Sequence, residues 1–327
     1  MLERIKSELF AKLWYNFFNR KKCGFMKQMR IPLICAVCVT ILGVILGSFF
    51  DLNLSKAIAS ADNGFGLGVS AVGVTIGFCG VTFIGGAFLV FANDHDYQAW
   101  LRVLFFVVAV GTFGAGLYFS GREYFGVNGF YEAAPKAIGY FVALVPLMTA
   151  EFFGYYVFRD CENKKMWIVL LIALAVVALG LIGFVNILKL IMHRPRYRAI
   201  VEYNIPFYNW WERCTKYNEY IETVWIGSEE FKSFPSGHTT EASMLLVPVV
   251  FLPLANKKWE KYQLLTFIIV FAFVILVAFA RILAAAHFLS DVSMGATITV
   301  SLLIIANEIV IRVKSLHNVE EIELSNE

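Results

Sequence analysis

Eight apolar stretches dominate this chain, and several run past the ~20 residues a helix needs to cross the ~30 Å hydrocarbon core of a bilayer. They are Leu33 to Phe50, Val69 to Ala92, Trp100 to Phe119, Ala137 to Phe158, Trp167 to Leu188, Ala242 to Ala255, Leu264 to Ala280 and Phe288 to Ile311. Only 16% of the 327 residues are charged, against roughly 25% in a soluble domain. Water is therefore not the main solvent of this chain. The fold class predicted is all-α, a polytopic transmembrane helix bundle.

Orientation follows from the distribution of basic residues, since the net charge of +3 says little by itself. Met1 to Arg30 holds eight Lys/Arg against two Glu, which predicts a cytoplasmic N-terminus. Within it Ile5, Leu9, Leu13, Trp14 and Phe17 recur at helical spacing among lysines and arginines. That pattern fits an interfacial amphipathic helix and equally a solvated basic tail. Ile31 to Phe50 is long for a signal peptide and no small-x-small cleavage motif closely follows it, so it reads as an uncleaved first span. Threading the spans from inside places the basic loops Arg159 to Met166 and Asn256 to Tyr262, and the tail from Arg312, on the cytoplasmic side. Of the six cysteines only Cys214 then faces outward, so no disulfide framework is expected.

Three clusters place charged or polar groups at the ends of apolar spans, and the threading puts all three on the outer face. Lys189-Leu-Ile-Met-His-Arg-Pro-Arg196 closes the fifth span, Pro235-Ser-Gly-His238 precedes the sixth, and Arg281, His287 and Asp291 lie between the seventh and eighth. Lys189, Arg196 and Arg281 have the charge to hold phosphoryl oxygens, arginine through its planar fork and lysine as a compact point charge. Ser236 and Gly237 stand where a helix should begin, so the hydroxyl and nearby backbone N–H groups can cradle an anion. The four-residue spacing of His287 and Asp291 predicts one helix face, with the carboxylate orienting the imidazole as a nucleophile. His238 is left to protonate a departing oxygen.

Each cluster has a plainer reading. Lys189, Arg194, Arg196 and Arg198 also suit side chains snorkelling at a membrane edge, and Pro235-Ser236 suits a helix cap. Arg281, His287 and Asp291 suit a structural polar network, although a charged residue within a span costs ~2.5–3.5 kcal/mol. Asp94-His95-Asp96 has metal-ligand chemistry, but it falls on the inner side with no further ligand near in sequence and reads as a solvated loop.

Taken together and in order, these residues resemble the three-part motif of the type 2 phosphatidic acid phosphatase family, whose catalytic core is shared with vanadium haloperoxidases. The family pattern is Lys-x6-Arg-Pro, Pro-Ser-Gly-His and Ser-Arg-x5-His-x3-Asp, and the resemblance covers about Trp167 to Ile311. Tyr197 replaces the proline of the first motif and Ala280 the serine of the third, and neither change removes a proton-carrying or charged group. His193 stands where bacterial members often have glycine, as a neutral neighbour of the phosphate or a secondary donor to it.

The resemblance implies a phosphohistidine mechanism. His287 would attack phosphorus, Asp291 orient it, and His238 protonate the leaving oxygen and later activate water. Lys189, Arg196, Ser236, Gly237 and Arg281 would bind the phosphoryl oxygens. No metal and no cofactor is implied. The implied partner is a membrane lipid phosphate or diphosphate, such as phosphatidate, phosphatidylglycerophosphate or an isoprenyl diphosphate, and no nucleic acid. A membrane protein that only binds phosphorylated lipids is the alternative.

The division expected is 1–30 as a basic cytoplasmic segment, 31–158 as N-terminal spans, 159–312 as the phosphatase core and 313–327 as a cytoplasmic tail. The protein would reside in the cell membrane with its active site outward. The long outer loop carries Phe207, Tyr208, Trp210, Trp211, Tyr217, Tyr220 and Trp225, residues that concentrate at membrane interfaces, and is expected to lie along the lipid surface.

Overall fold

The structure, a computed structural model, describes residues 28–125, 136–161, 163 and 165–324. Among these residues there is no strand, and eight helices are long and apolar enough to cross a membrane. The chain is an all-α, multi-pass membrane bundle. The amphipathic helix considered for the N-terminal segment lies outside the described residues, apart from Gln28 to Arg30.

The first four spans are α1 (Arg30–Ile58), α2 (Gly64–Asn93), α3 (Ala99–Phe125) and α4 (Lys136–Phe158). The fifth joins α5 (Met166–Ala178) through a π-helical segment, Leu179–Val185, to α6 (Asn186–Met192). Two short helices, α7 (Tyr197–Tyr203) and α8 (Tyr217–Thr223), follow. The sixth span is broken into α9 (Gly237–Ser243) and α10 (Leu246–Ala255), and α11 (Glu260–Leu283) and α12 (Leu289–Leu324) complete the bundle. The sixth helix starts five residues before the apolar run because its opening, Gly237-His-Thr-Thr-Glu241, is polar. Helix α12 continues beyond Ile311, where hydropathy alone ends the span.

Lipid tails are as apolar as leucine, so association of these helices depends on close packing rather than on escape from water. Helix α2 is the centre of that packing, touching α3, α4, α9 and α11, while α1 lies along α12. Its small residues make this possible. A Cβ added at Gly77 would stand 2.2 Å from the Glu241 carbonyl oxygen, so only glycine lets α9 approach this closely. Large side chains on the outer helices, among them Phe49, Val103, Phe141, Phe152 and Ile182, face outward as a lipid-exposed surface requires.

The segment between α6 and α9 differs from the sequence expectation of a loop spread on lipid. Ala199, Ile205, Cys214, Ile226 and Phe231 form a small core of their own, with Tyr208, Tyr217 and Tyr220 packed against it. Phe207 meets Phe288 edge-on at 5.3 Å, and Trp210 stacks on Phe234 while its indole N–H donates to Ser48 Oγ at 2.9 Å. Of the seven aromatics named above, Trp211 and Trp225 are the ones left exposed. The tyrosines are amphipathic enough to serve a membrane interface, but in this folded cap the rings of Tyr217 and Tyr220 pack on Phe231.

Candidate active site

One end of the bundle gathers all three motifs. The loop from α6 to α7 brings in Arg194 and Arg196, the start of α9 brings Ser236 to His238, and the turn between α11 and α12 brings His287. Arg196, Ser236, Arg281, His287 and Asp291 are each no more than 3% exposed.

His287 does not sit on a helix face with Asp291. Helix α12 begins only at Leu289, and Ala285 (φ 53°) turns the chain through the left-handed region beforehand. The His287 Nδ1 lies 2.6 Å from the Ser233 carbonyl oxygen and 3.9 Å from Asp291 Oδ2. The first is a hydrogen bond and the second is too long for one. The expected carboxylate–imidazole contact is therefore replaced by a bridge. Ser233 donates its hydroxyl to Asp291 Oδ2 at 2.5 Å and offers its own carbonyl to His287. Asp291 also accepts from the Phe288 backbone N–H at 2.8 Å, which fixes the residue after the histidine. With Nδ1–H committed to a carbonyl, the lone pair is on Nε2. Burial, followed by the neighbouring charges of Arg281, Arg196 and Lys189, holds this imidazole well below the usual histidine range. Its neutral form is therefore the favoured one at physiological pH.

The cations divide into two kinds. Arg194 is fully enclosed: its Nη1 donates to Asp291 Oδ1 at 2.5 Å and to Ser290 Oγ at 2.9 Å, and its Nη2 to Asp51 Oδ2 at 2.9 Å. Asp51 in turn accepts from the Ser290 N–H at 2.9 Å and from the Ser290 hydroxyl. Arg194 is thus not a snorkelling residue, and Arg198 is not one either, since it forms a two-pronged ion pair with Glu230 at 2.6 and 2.8 Å. Arg196 and Arg281 are equally buried but incompletely satisfied. Arg196 Nε donates to the Glu229 carbonyl at 3.0 Å, while Arg196 Nη1 and Arg281 Nε and Nη2 have no hydrogen-bond partner among the described residues. Buried donors of a charged group rarely stay unpaired, so these point to an acidic ligand. Lys189 is at the same spot, because a Cβ on Gly237 would meet its Nζ at 3.2 Å.

Ser236 performs the capping role, accepting from the Thr239 N–H at 3.4 Å and its hydroxyl at 3.1 Å, and its own N–H donates to the Asp291 carbonyl at 3.0 Å. His238 follows in the first turn and its Nε2 lies 3.0 Å from Glu123 Oε2. The His193 ring is stacked on Tyr217, with centroids 3.8 Å apart. Tyr197 is the first residue of α7, the helix position at which proline is favoured because its missing N–H is not needed. Tyr197 therefore opens this helix without the proline of the motif. Asp94-His95-Asp96 is a turn in which the Asp96 N–H donates to Asp94 Oδ1 at 3.0 Å. Among the described residues no group of three or more His, Cys, Asp or Glu could hold a metal ion.

Three residues of this arrangement escaped the sequence reading: Asp51, Glu123 and Ser233. An acidic residue near the end of a span was the available signal for the first two. The Arg194 clamp has a measurable consequence. Removing one partner from a buried ionic cluster costs about 3–5 kcal/mol, so Arg194→Ala should lower the midpoint of detergent-induced unfolding strongly. Adding Asp51→Asn should recover part of the loss. An unchanged midpoint in Arg194→Ala would mean the cluster contributes nothing to stability.

The fold and the gathered groups define the class, a multi-pass membrane protein with buried cations and histidines converging on one site. Residues 164–314 match the family model described as the PAP2 superfamily, and this stretch of the chain is a PAP2 domain, in keeping with the resemblance to type 2 phosphatidic acid phosphatases. Its function is of the phosphatase type. No curated protein and no solved structure matches the chain.

Proposed function

We propose that the protein hydrolyses a lipid phosphate or diphosphate through a phosphohistidine intermediate. The observation that carries this reading is the set of unpaired donors on Arg196 and Arg281 beside a neutral, oriented His287. In the first step His287 Nε2 forms a bond to phosphorus as the ester P–O bond breaks, and the leaving oxygen takes a proton from His238. In the second, water gives a proton to His238 and its oxygen displaces the histidine. Lys189, Arg196 and Arg281, with the backbone at Gly237, stabilise the charge on the equatorial oxygens.

Because these cations supply the charge that metal ions provide in other phosphoryl-transfer sites, phosphate release from phosphatidate in mixed micelles should persist in EDTA. Vanadate should inhibit it, since a trigonal-bipyramidal oxyanion fits a site built for the transition state. A strict Mg²⁺ requirement would contradict the mechanism. Assaying phosphatidate, phosphatidylglycerophosphate and undecaprenyl diphosphate side by side identifies the headgroup.

The site is proposed to open on the outer face of the cell membrane. Support comes from the opposite end of the bundle, where Arg159, Lys257, Lys258 and Lys261 cluster. A cysteine at Trp225, which is 87% exposed, should react with an impermeant thiol reagent on intact cells, whereas one at Lys258 should not. The reverse pattern would invert the topology.

A further inference from the structure

We propose that Glu123, at the end of the third span, is the positioning residue for His238: its carboxylate binds Nε2 and leaves Nδ1 to exchange protons with the leaving oxygen and with water. This deepens the proposed function and rests on it. Glu123 lies outside residues 164–314, the part that matches the PAP2 superfamily.

The geometry carries the assignment. Glu123 Oε2 is 3.0 Å from His238 Nε2, and the two side chains are only 11% and 12% exposed. A carboxylate in the last turn of a helix opposes the helix dipole, so this position is unfavourable for α3 by itself. The end of α3 is nevertheless held in place, with Tyr124 OH and Thr75 Oγ1 3.1 Å apart, tying it to α2. Arg122 Nε reaches the other carboxylate oxygen at 3.4 Å, which leaves Oε2 for the histidine. A carboxylate accepting from one imidazole nitrogen fixes both the ring's orientation and which nitrogen is used for chemistry. His287 is fixed through its Nδ1 by Ser233, and His238 through its Nε2 by Glu123, so the two rings present opposite nitrogens.

The proton balance is closed. With Nε2–H held by Glu123, Nδ1–H passes its proton to the leaving oxygen as the P–O electron pair moves onto that oxygen. The imidazole is then neutral and retains Nε2–H. In the second step Nδ1 takes a proton from the attacking water, which restores the starting state.

The test uses full-length protein in detergent micelles and two amphiphilic probes, dodecylphenyl phosphate and its nitro derivative, whose leaving group departs without needing a proton. The quantity read is the single-turnover rate of phenol release. Glu123→Gln should slow the plain phenyl ester on the order of 10–100-fold, a fraction of the general-acid contribution, and the nitro ester less than about 3-fold. Combined with His238→Ala it should cause no further loss, because the two act as one unit. Equal losses on both esters, or losses that add to those of His238→Ala, would overturn the positioning role and leave the mechanism standing. If His238→Ala itself shows no preference between the esters, the acid role of His238 fails and the assignment fails with it. Should Glu123→Gln not fold, Glu123→Asp, which keeps the charge but shortens the reach, is read on the same two esters by the same criteria.

Discussion

His287→Ala should abolish turnover, with a loss on the order of 10⁴-fold or more, as when the nucleophile of a cooperating catalytic group is removed. The wild-type protein mixed briefly with ³²P-labelled substrate and quenched in alkali should carry label, since phosphohistidine survives base. The variant should carry none. The histidine is 1% exposed, so a thermal melt of the variant separates lost chemistry from lost fold. Its lowered proton affinity adds a sign. Falling pH protonates an ordinary histidine near about 6.5, whereas His287, held below that value, stays neutral further into acid. The acid limb of kcat/KM should accordingly lie below pH about 6.5 once substrate ionisation is subtracted. Near-normal turnover by the alanine variant would sink the covalent route.

His238→Ala should give a loss that depends on what is leaving. With a lipid alkoxide, which cannot depart without a proton, the first turnover should slow by about 10²–10⁴-fold. With a nitrophenyl leaving group the first turnover should stay within about tenfold of wild type. Steady-state turnover should still collapse, because in the proposed mechanism water attack on the phosphohistidine needs the same imidazole as a base. The expected signature is one rapid equivalent of nitrophenol followed by a slow phase, with phosphoenzyme accumulating. A uniform loss on every substrate would assign His238 to binding or structure instead.

The parts of this site legible in the sequence are those where charge and apolar context conflict. Arg281 stands in the last turn of a long apolar helix, and the cost of its charge in that setting points to function. The bundle was legible for the same reason, since hydropathy and span length depend on composition alone. The π-helical segment Leu179–Val185 was not, because it changes hydrogen bonding without changing hydropathy. Spacing misled at His287 and Asp291: the Ala284-Ala285-Ala286 run has high helix propensity, yet Ala285 adopts a left-handed conformation that ends the helix. Ser233 works partly through a backbone carbonyl, which any residue possesses. Asp51 and Glu123 act across 143 and 115 residues respectively, and nothing local in either span specifies a partner so distant.

The Asp51–Arg194–Asp291 cluster also imposes an order on biogenesis. The ribosome delivers Asp51 143 residues before Arg194 and Arg194 97 residues before Asp291. At about 5–20 residues per second, roughly 7–30 s separate the first carboxylate from its arginine. For that interval Asp51 stands in the first helix without its arginine, while the number of delivered spans rises from one to five and the site is still open. The bundle is therefore completed from its last helix backwards: only when α12 brings Ser290 to Asp51 and Asp291 to Arg194 is the cluster closed.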